Sequence, residues 1–167
     1  MGIMARATPK TSPRRCRLLY IEDHVESIAL VEGLLAGRKD LQLLRAADTN
    51  LGIERSRTER PDVILINIDL PGPASAAGLL KLLRADPATQ TAPVLALSAN
   101  AAPEAIVKGL EAGFFHYLTK PLQAAPFMEA LTYALEFAAV ERSEENPVPL
   151  RRRKEKEIRD GTAPQPL

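Results

Sequence analysis

Apolar residues recur along this chain in two alternating rhythms. Short, nearly unbroken apolar runs lie at Arg17–Ile21, Leu41–Ala46, Asp62–Ile66, Pro93–Leu97 and Phe115–Leu118. Runs of that length, rich in Leu, Ile and Val, suit strands, and those apolar at every position suit strands covered on both faces. Between them apolar positions return every three to four residues, as a helix with one face on a core requires. These are Ile28, Val31, Leu34 and Leu35; Leu51 and Ile53; Leu79, Leu80, Leu82 and Leu83; the stretch Pro103–Ala112; and Phe127, Leu131, Leu135 and Ala138. The stop and start signals agree. The first helix is expected to stop near Gly37, and the second to be capped by Asp48 or Thr49 and to end before Pro61. The third should end around Asp86-Pro87, the fourth at Gly113, and the last should run from about Gln123 to Val140. Strand and helix alternate five times, which predicts an α/β domain built from βαβ crossovers around a parallel sheet.

The third run organises the rest, because it passes directly into Asn67-Ile68-Asp69-Leu70-Pro71-Gly72. In open α/β sheets ligands bind at the carboxyl ends of the strands. The polar residues expected there are Glu22 and Asp23 after strand one, Asn67 and Asp69 after strand three, Ser98 after strand four and Lys120 after strand five. Adjacent carboxylates suit a hard cation such as Mg²⁺, which prefers oxygen ligands. A Ser hydroxyl and a Lys ammonium opposite them suit a phosphoryl oxygen. Lys120-Pro121 is a place for a cis peptide bond that would aim the lysine inward. Taken singly, an acidic pair after a strand is more often a helix cap or a solvated loop. The conjunction at successive strand ends is what carries the signal.

Composition narrows the field. The chain has 167 residues, 46% hydrophobic and 26% charged, a globular balance. A net charge of +1 gives no electrostatic case for nucleic acid, and the run Arg151-Arg152-Arg153-Lys154 reads as a solvated tail. The single cysteine, Cys16, excludes an internal disulfide framework and fits a reducing compartment. No run approaches the roughly 20 apolar residues of a membrane span, and Met1 to Arg15 lacks the apolar core of a secretory signal. A cytoplasmic protein with no membrane or nucleic-acid partner is expected. Residues 1–15 read as a flexible basic lead-in, 16–142 as the domain, and 143–167 as a charged, Pro-containing tail in which Arg151 to Arg159 is rich in helix formers. His24 reads as a flank of the acidic pair, and His116 as an outward residue of strand five.

With these residues in view, the chain resembles the receiver domain of two-component response regulators over about Arg17 to Val140. The likeness rests on Leu-Leu-Tyr-Ile-Glu-Asp, Asp-Val-Ile-Leu-Ile-Asn-Ile-Asp-Leu-Pro-Gly, Val-Leu-Ala-Leu-Ser-Ala-Asn and Tyr-Leu-Thr-Lys-Pro, in family order. The resemblance implies a doubly wound, flavodoxin-like sheet of five parallel strands, order 2-1-3-4-5, flanked by five helices. It implies that Glu22 and Asp23 hold Mg²⁺ together with the backbone carbonyl of Asp69. Ser98 and Lys120 would contact the phosphoryl group, and Tyr117 would be the aromatic residue that rotates on activation. The phosphoacceptor aspartate falls on position 67, which here is Asn67. A neutral amide is a very poor nucleophile, and losing one negative charge weakens the hold on Mg²⁺. After Pro71 the sequence Gly72-Pro73-Ala74-Ser75-Ala76-Ala77-Gly78 also departs from the family's usual loop.

The function expected is therefore a stand-alone receiver that signals by protein contact and is not itself an enzyme, with a sensor histidine kinase or another signalling protein as partner. Two alternatives fit the same residues. One is a phosphorylatable receiver, through Asp69 or with aspartate as the native residue at position 67. The other is a small phosphate-handling α/β enzyme using Glu22, Asp23 and Lys120, disfavoured because no glycine-rich phosphate loop opens a helix. The last helix carries Phe127, Met128, Leu131, Leu135, Phe137 and Val140, more apolar surface than one core-facing stripe needs. That surplus predicts a homodimer through helix four, strand five and helix five.

Overall fold

The computed structural model describes residues 14–71 and 75–145. The basic lead-in up to residue 13, the loop at 72–74 and the tail beyond 145, with its expected helix at Arg151 to Arg159, lie outside the described residues. The elements are β1 (Cys16–Ile21), α1 (Val25–Leu35), β2 (Leu41–Ala46), α2 (Thr49–Glu59), β3 (Val63–Asn67), α3 (Ala76–Ala85), β4 (Val94–Ser98), α4 (Pro103–Ala112), β5 (His116–Thr119) and α5 (Ala124–Glu145). The strands form one sheet in the order β2-β1-β3-β4-β5, and every pairing is parallel. The doubly wound fold expected from the family resemblance is the fold observed.

Alternation along each strand divides the core in two, because successive side chains leave opposite faces of a sheet. Leu18, Tyr20, Val63, Leu65, Leu95 and Leu97 point to one face and pack with Val31, Phe127 and Leu131 of α1 and α5. Leu19, Ile21, Ile64, Ile66, Val94 and Ala96 point to the other and pack with Leu79, Leu80 and Leu83 of α3. The caps follow ordinary chemistry. Asp48 accepts the Leu51 N–H at the start of α2, Ser75 accepts the Gly78 N–H at the start of α3, and Gly113 ends α4 in the left-handed region, φ 112°.

Three details differ from expectation. Leu82 is exposed although it shares the spacing of Leu79, Leu80 and Leu83, because those three already fill the stripe that faces the sheet. β3 begins at Val63, and Asp62 just before it donates its N–H to the Arg17 carbonyl at 2.8 Å and accepts the Arg17 N–H on its carboxylate at 2.7 Å. α5 continues to Glu145, past Val140 and across the boundary expected at 142/143. Arg142 explains the extension: its guanidinium pairs with buried Asp62 at 3.2 Å, which stitches the last turns to the start of β3. Among the described residues no helix is long and apolar enough to cross a membrane.

Candidate functional site

The strand register gathers the site. Ile21 pairs with Ile66, Asn67 with Leu97 and Ser98 with Thr119, so the residues after each strand meet along the carboxyl edge. β1 and β3 are neighbours there, and the chain order reverses between them, the position where such folds open a crevice. The Lys120-Pro121 bond is cis, and the Lys120 N–H donates to the Ser98 carbonyl at 2.8 Å.

Asn67 sits at the centre, buried at the end of β3. Its Nδ2 donates to Glu22 Oε1 at 3.2 Å, while its Oδ1 accepts from Lys120 Nζ at 2.9 Å and from the Asp69 N–H at 3.0 Å. The reverse orientation would turn the NH₂ group against an ammonium and an N–H, so the neighbours fix which way the amide faces. Glu22 is 1% exposed, and its carboxylate also accepts the His24 N–H at 3.1 Å and the Tyr20 hydroxyl at 3.5 Å. Burial, with the charge of Glu22 and its hydrogen bond adding to it, pushes the Tyr20 phenol far above its usual range. Asp23 is exposed beside Glu22, and His24 is exposed at the start of α1, 3.4 Å from the Ser27 hydroxyl. His116 faces outward on β5, as its place in the alternation predicts.

Asp69 is the residue whose side chain sequence reasoning placed least well. The resemblance gives it a metal role through its backbone carbonyl, with its carboxylate only an alternative phosphoacceptor; in the structure the carboxylate turns toward the side chains of Ser98 and Lys120. Oδ1 accepts the Ser98 hydroxyl at 2.7 Å, and Oδ2 accepts the Ala99 N–H at 2.7 Å and Lys120 Nζ at 3.2 Å. Partial burial works to raise this carboxyl. The Ala99 N–H, the Ser98 hydroxyl and the Lys120 ammonium outweigh it and hold the group below the usual carboxylate range. The signal was present in Asn-Ile-Asp, where a charge absent at position 67 reappears two residues later, within reach of the same lysine.

Behind Ser98 the network continues. Its Oγ accepts the Asn100 N–H at 3.1 Å, and the Asn100 carbonyl accepts the Tyr117 hydroxyl at 2.8 Å. Tyr117 is buried, its ring laid against Gly109 of α4; a Cβ there would stand 2.7 Å from ring carbon Cδ2. The sequence motif Val-Leu-Ala-Leu-Ser-Ala-Asn includes Asn100 but assigns it no role of its own.

Glu22 and the exposed Asp23 are the acids here that would hold Mg²⁺, beside an Asn67 amide that brings no charge of its own. The amide presents N–H, not a lone pair, to Glu22, and the Asp69 carboxylate is taken up by Ser98, Ala99 and Lys120. Among the described residues no group of three or more His, Cys, Asp or Glu side chains is placed to hold a metal ion.

A five-stranded doubly wound sheet with an acidic pair, a hydroxyl and a lysine at its carboxyl edge defines the receiver class of signalling proteins. Comparison with known proteins agrees: the family model of the response regulator receiver domain matches residues 18–132, and the chain belongs to that family. It is 34% identical over 108 residues to the transcriptional regulatory protein CseB of Streptomyces coelicolor, covering 65% of this chain and 44% of that one. It is 33% identical over 105 residues to the phosphate regulon transcriptional regulatory protein PhoB of Klebsiella pneumoniae, covering 63% and 45%. The chain thus spans less than half the length of these curated relatives. Among solved structures, a response regulator from Chloroflexus aurantiacus superposes with a TM-score of 0.64 at 28% identity, covering 75% of this chain and 99% of that one. The receiver domain of a sensor histidine kinase from Pseudomonas aeruginosa, crystallised with a magnesium ion coordinated in the active site cleft, has a TM-score of 0.64 at 24% identity, covering 73% and 98%.

Proposed function

We propose that this receiver takes part in two-component signalling by contact, without accepting a phosphoryl group at position 67, and is not itself an enzyme. The observation that carries the reading is the Asn67 amide, whose nitrogen is committed to Glu22 and whose oxygen is committed to Lys120 and the Asp69 N–H. An amide so held offers no carboxylate oxygen to attack phosphorus. The partner class is a sensor histidine kinase or another signalling protein, and the setting is cytoplasmic. Mg²⁺ binds more weakly than in a receiver with aspartate at this position, because one negative charge is missing beside Glu22.

A second copy of the chain is the other proposed partner. Val107 and Leu110 on α4 and Tyr133, Phe137 and Val140 on α5 are exposed, and Phe137 leans on Phe115 with ring centroids 5.3 Å apart, next to the edge strand β5. Apolar side chains collected at one edge favour burial against another protein.

Incubation with acetyl phosphate and Mg²⁺, followed by intact mass measurement, tests the central point. The expected mass is unchanged. A labile gain of one phosphoryl group would instead support a phosphorylatable receiver, with Asp69 as the acceptor.

A further inference from the structure

Ser98, Ala99 and Lys120 converge as three hydrogen-bond donors from the ends of β4 and β5. A hydroxyl, a backbone N–H and an ammonium arranged around one point make a seat for the oxygens of an anion. In this chain the seat is filled from within. The geometry assigns the Asp69 carboxylate the place of a bound oxyanion, with one oxygen on Ser98 and the other on Ala99 and Lys120. The inference rests on the contact-only reading, since a receiver that worked by gaining a phosphoryl group would need this seat vacant.

The Asn67 amide completes the exchange. Its NH₂ group meets buried Glu22, and its oxygen shares Lys120 with Asp69, so the acid, the amide, the lysine and the second acid satisfy one another. From the filled seat an unbroken series of contacts leads outward. Ser98 donates to Asp69 and accepts the N–H of Asn100, the Asn100 carbonyl takes the Tyr117 hydroxyl, and the Tyr117 ring rests on Gly109. Gly109 lies on α4, the helix that carries exposed Val107 and Leu110. The internal carboxylate therefore sets the position of Tyr117 and of the α4 surface, with no ligand and no kinase. Its counterpart is a latent oxyanion site, open to inorganic phosphate only when the Asp69 side chain is shortened.

The experiment uses isotopically labelled full-length chain and two variants, Asp69→Ala and Asp69→Asn, followed by the backbone amide resonances in titrations with inorganic phosphate. In the wild type, the Ala99, Asn100 and Tyr117 amides are expected to stay still as phosphate is added. In Asp69→Ala all three move from their wild-type positions, and phosphate returns them toward those positions saturably. Asp69→Asn keeps the size of the side chain, guards against loss of fold in the alanine variant, and is expected to move the same amides. The inference is overturned if Asn100 and Tyr117 keep their wild-type resonances in both variants. It is equally overturned if wild-type Ala99 titrates with phosphate as the alanine variant does. A phosphoryl adduct on the wild type, seen by mass, counts against the contact-only reading, so the two failures appear in different measurements.

Discussion

At Asn67 one nitrogen stands where the receiver family keeps an oxygen, and that atom decides the electrostatics of the pocket. Asn67→Asp turns the hydrogen bond to Glu22 into a contact between two carboxylates, one of them 1% exposed. A charge at ~4 Å and an effective dielectric of ~20 is worth about 4 kcal/mol before solvent screening. After screening, Mg²⁺ affinity of the variant should rise at least about tenfold, roughly 1.4 kcal/mol, by titration calorimetry. In chelator its thermal midpoint should fall below that of the wild type, and Mg²⁺ should restore it. An unchanged Mg²⁺ affinity would show that Asn67 does not govern the cation site. Tyr20 provides a pH prediction. Its folded pKa lies above the unfolded value of about 10, so the folded state holds its proton more tightly. The stability from this group is complete below pH ~10 and declines as pH rises above it. Tyr20→Phe should flatten that alkaline decline in urea unfolding; an equal decline in both proteins would remove Tyr20 as its source. Which residues meet at this edge was legible, since Glu22, Asn67, Ser98 and Lys120 each follow an apolar run. How they pair was not, because the direction of the Asp69 side chain depends on a loop geometry that no periodicity encodes.

Among the elements, α5 and α4 carry the clearest tests. Phe127 is completely buried against the face of the sheet shared by α1 and α5. Phe127→Ala should cost about 3–5 kcal/mol in denaturant unfolding, from lost burial and the cavity left behind. On helix propensity alone, Gly109→Ala would stabilise α4 by about 1 kcal/mol. The added Cβ would stand 2.7 Å from the Tyr117 ring, so the ring or α4 must shift, which disturbs the packing that holds the Tyr117 hydroxyl on Asn100. A changed environment of the Tyr117 side chain in aromatic NMR spectra, without net stabilisation, is the expected outcome; a gain near 1 kcal/mol with an unmoved ring would show that the contact is slack. The elements themselves were legible from spacing, and every strand and helix lies where the two rhythms put it. Their ends were less so. The late start of β3 and the late end of α5 meet at one group, the Asp62 carboxylate, bound to the Arg17 N–H and the Arg142 guanidinium. Those partners are far apart in sequence, beyond the reach of a local pattern.

For the molecule as a whole, alternation of strand and helix implied a parallel sheet, but the strand order came from likeness to a family and not from the pattern itself. The exposed apolar residues beside β5 give the proposal at this scale its test. Phe137→Glu puts a charge among them and should convert a dimer seen by sedimentation into a monomer, with thermal stability little changed. A wild type that sediments as a monomer at tens of micromolar would remove the dimer. The carboxylate of Asp69 has a consequence on a longer timescale. An acyl phosphate on an aspartate is made and hydrolysed while its protein persists, whereas an acid built into the polypeptide lasts as long as the polypeptide does. On the proposed reading, the strength of such a signal follows copy number, and it fades as molecules are diluted by growth or destroyed by proteolysis.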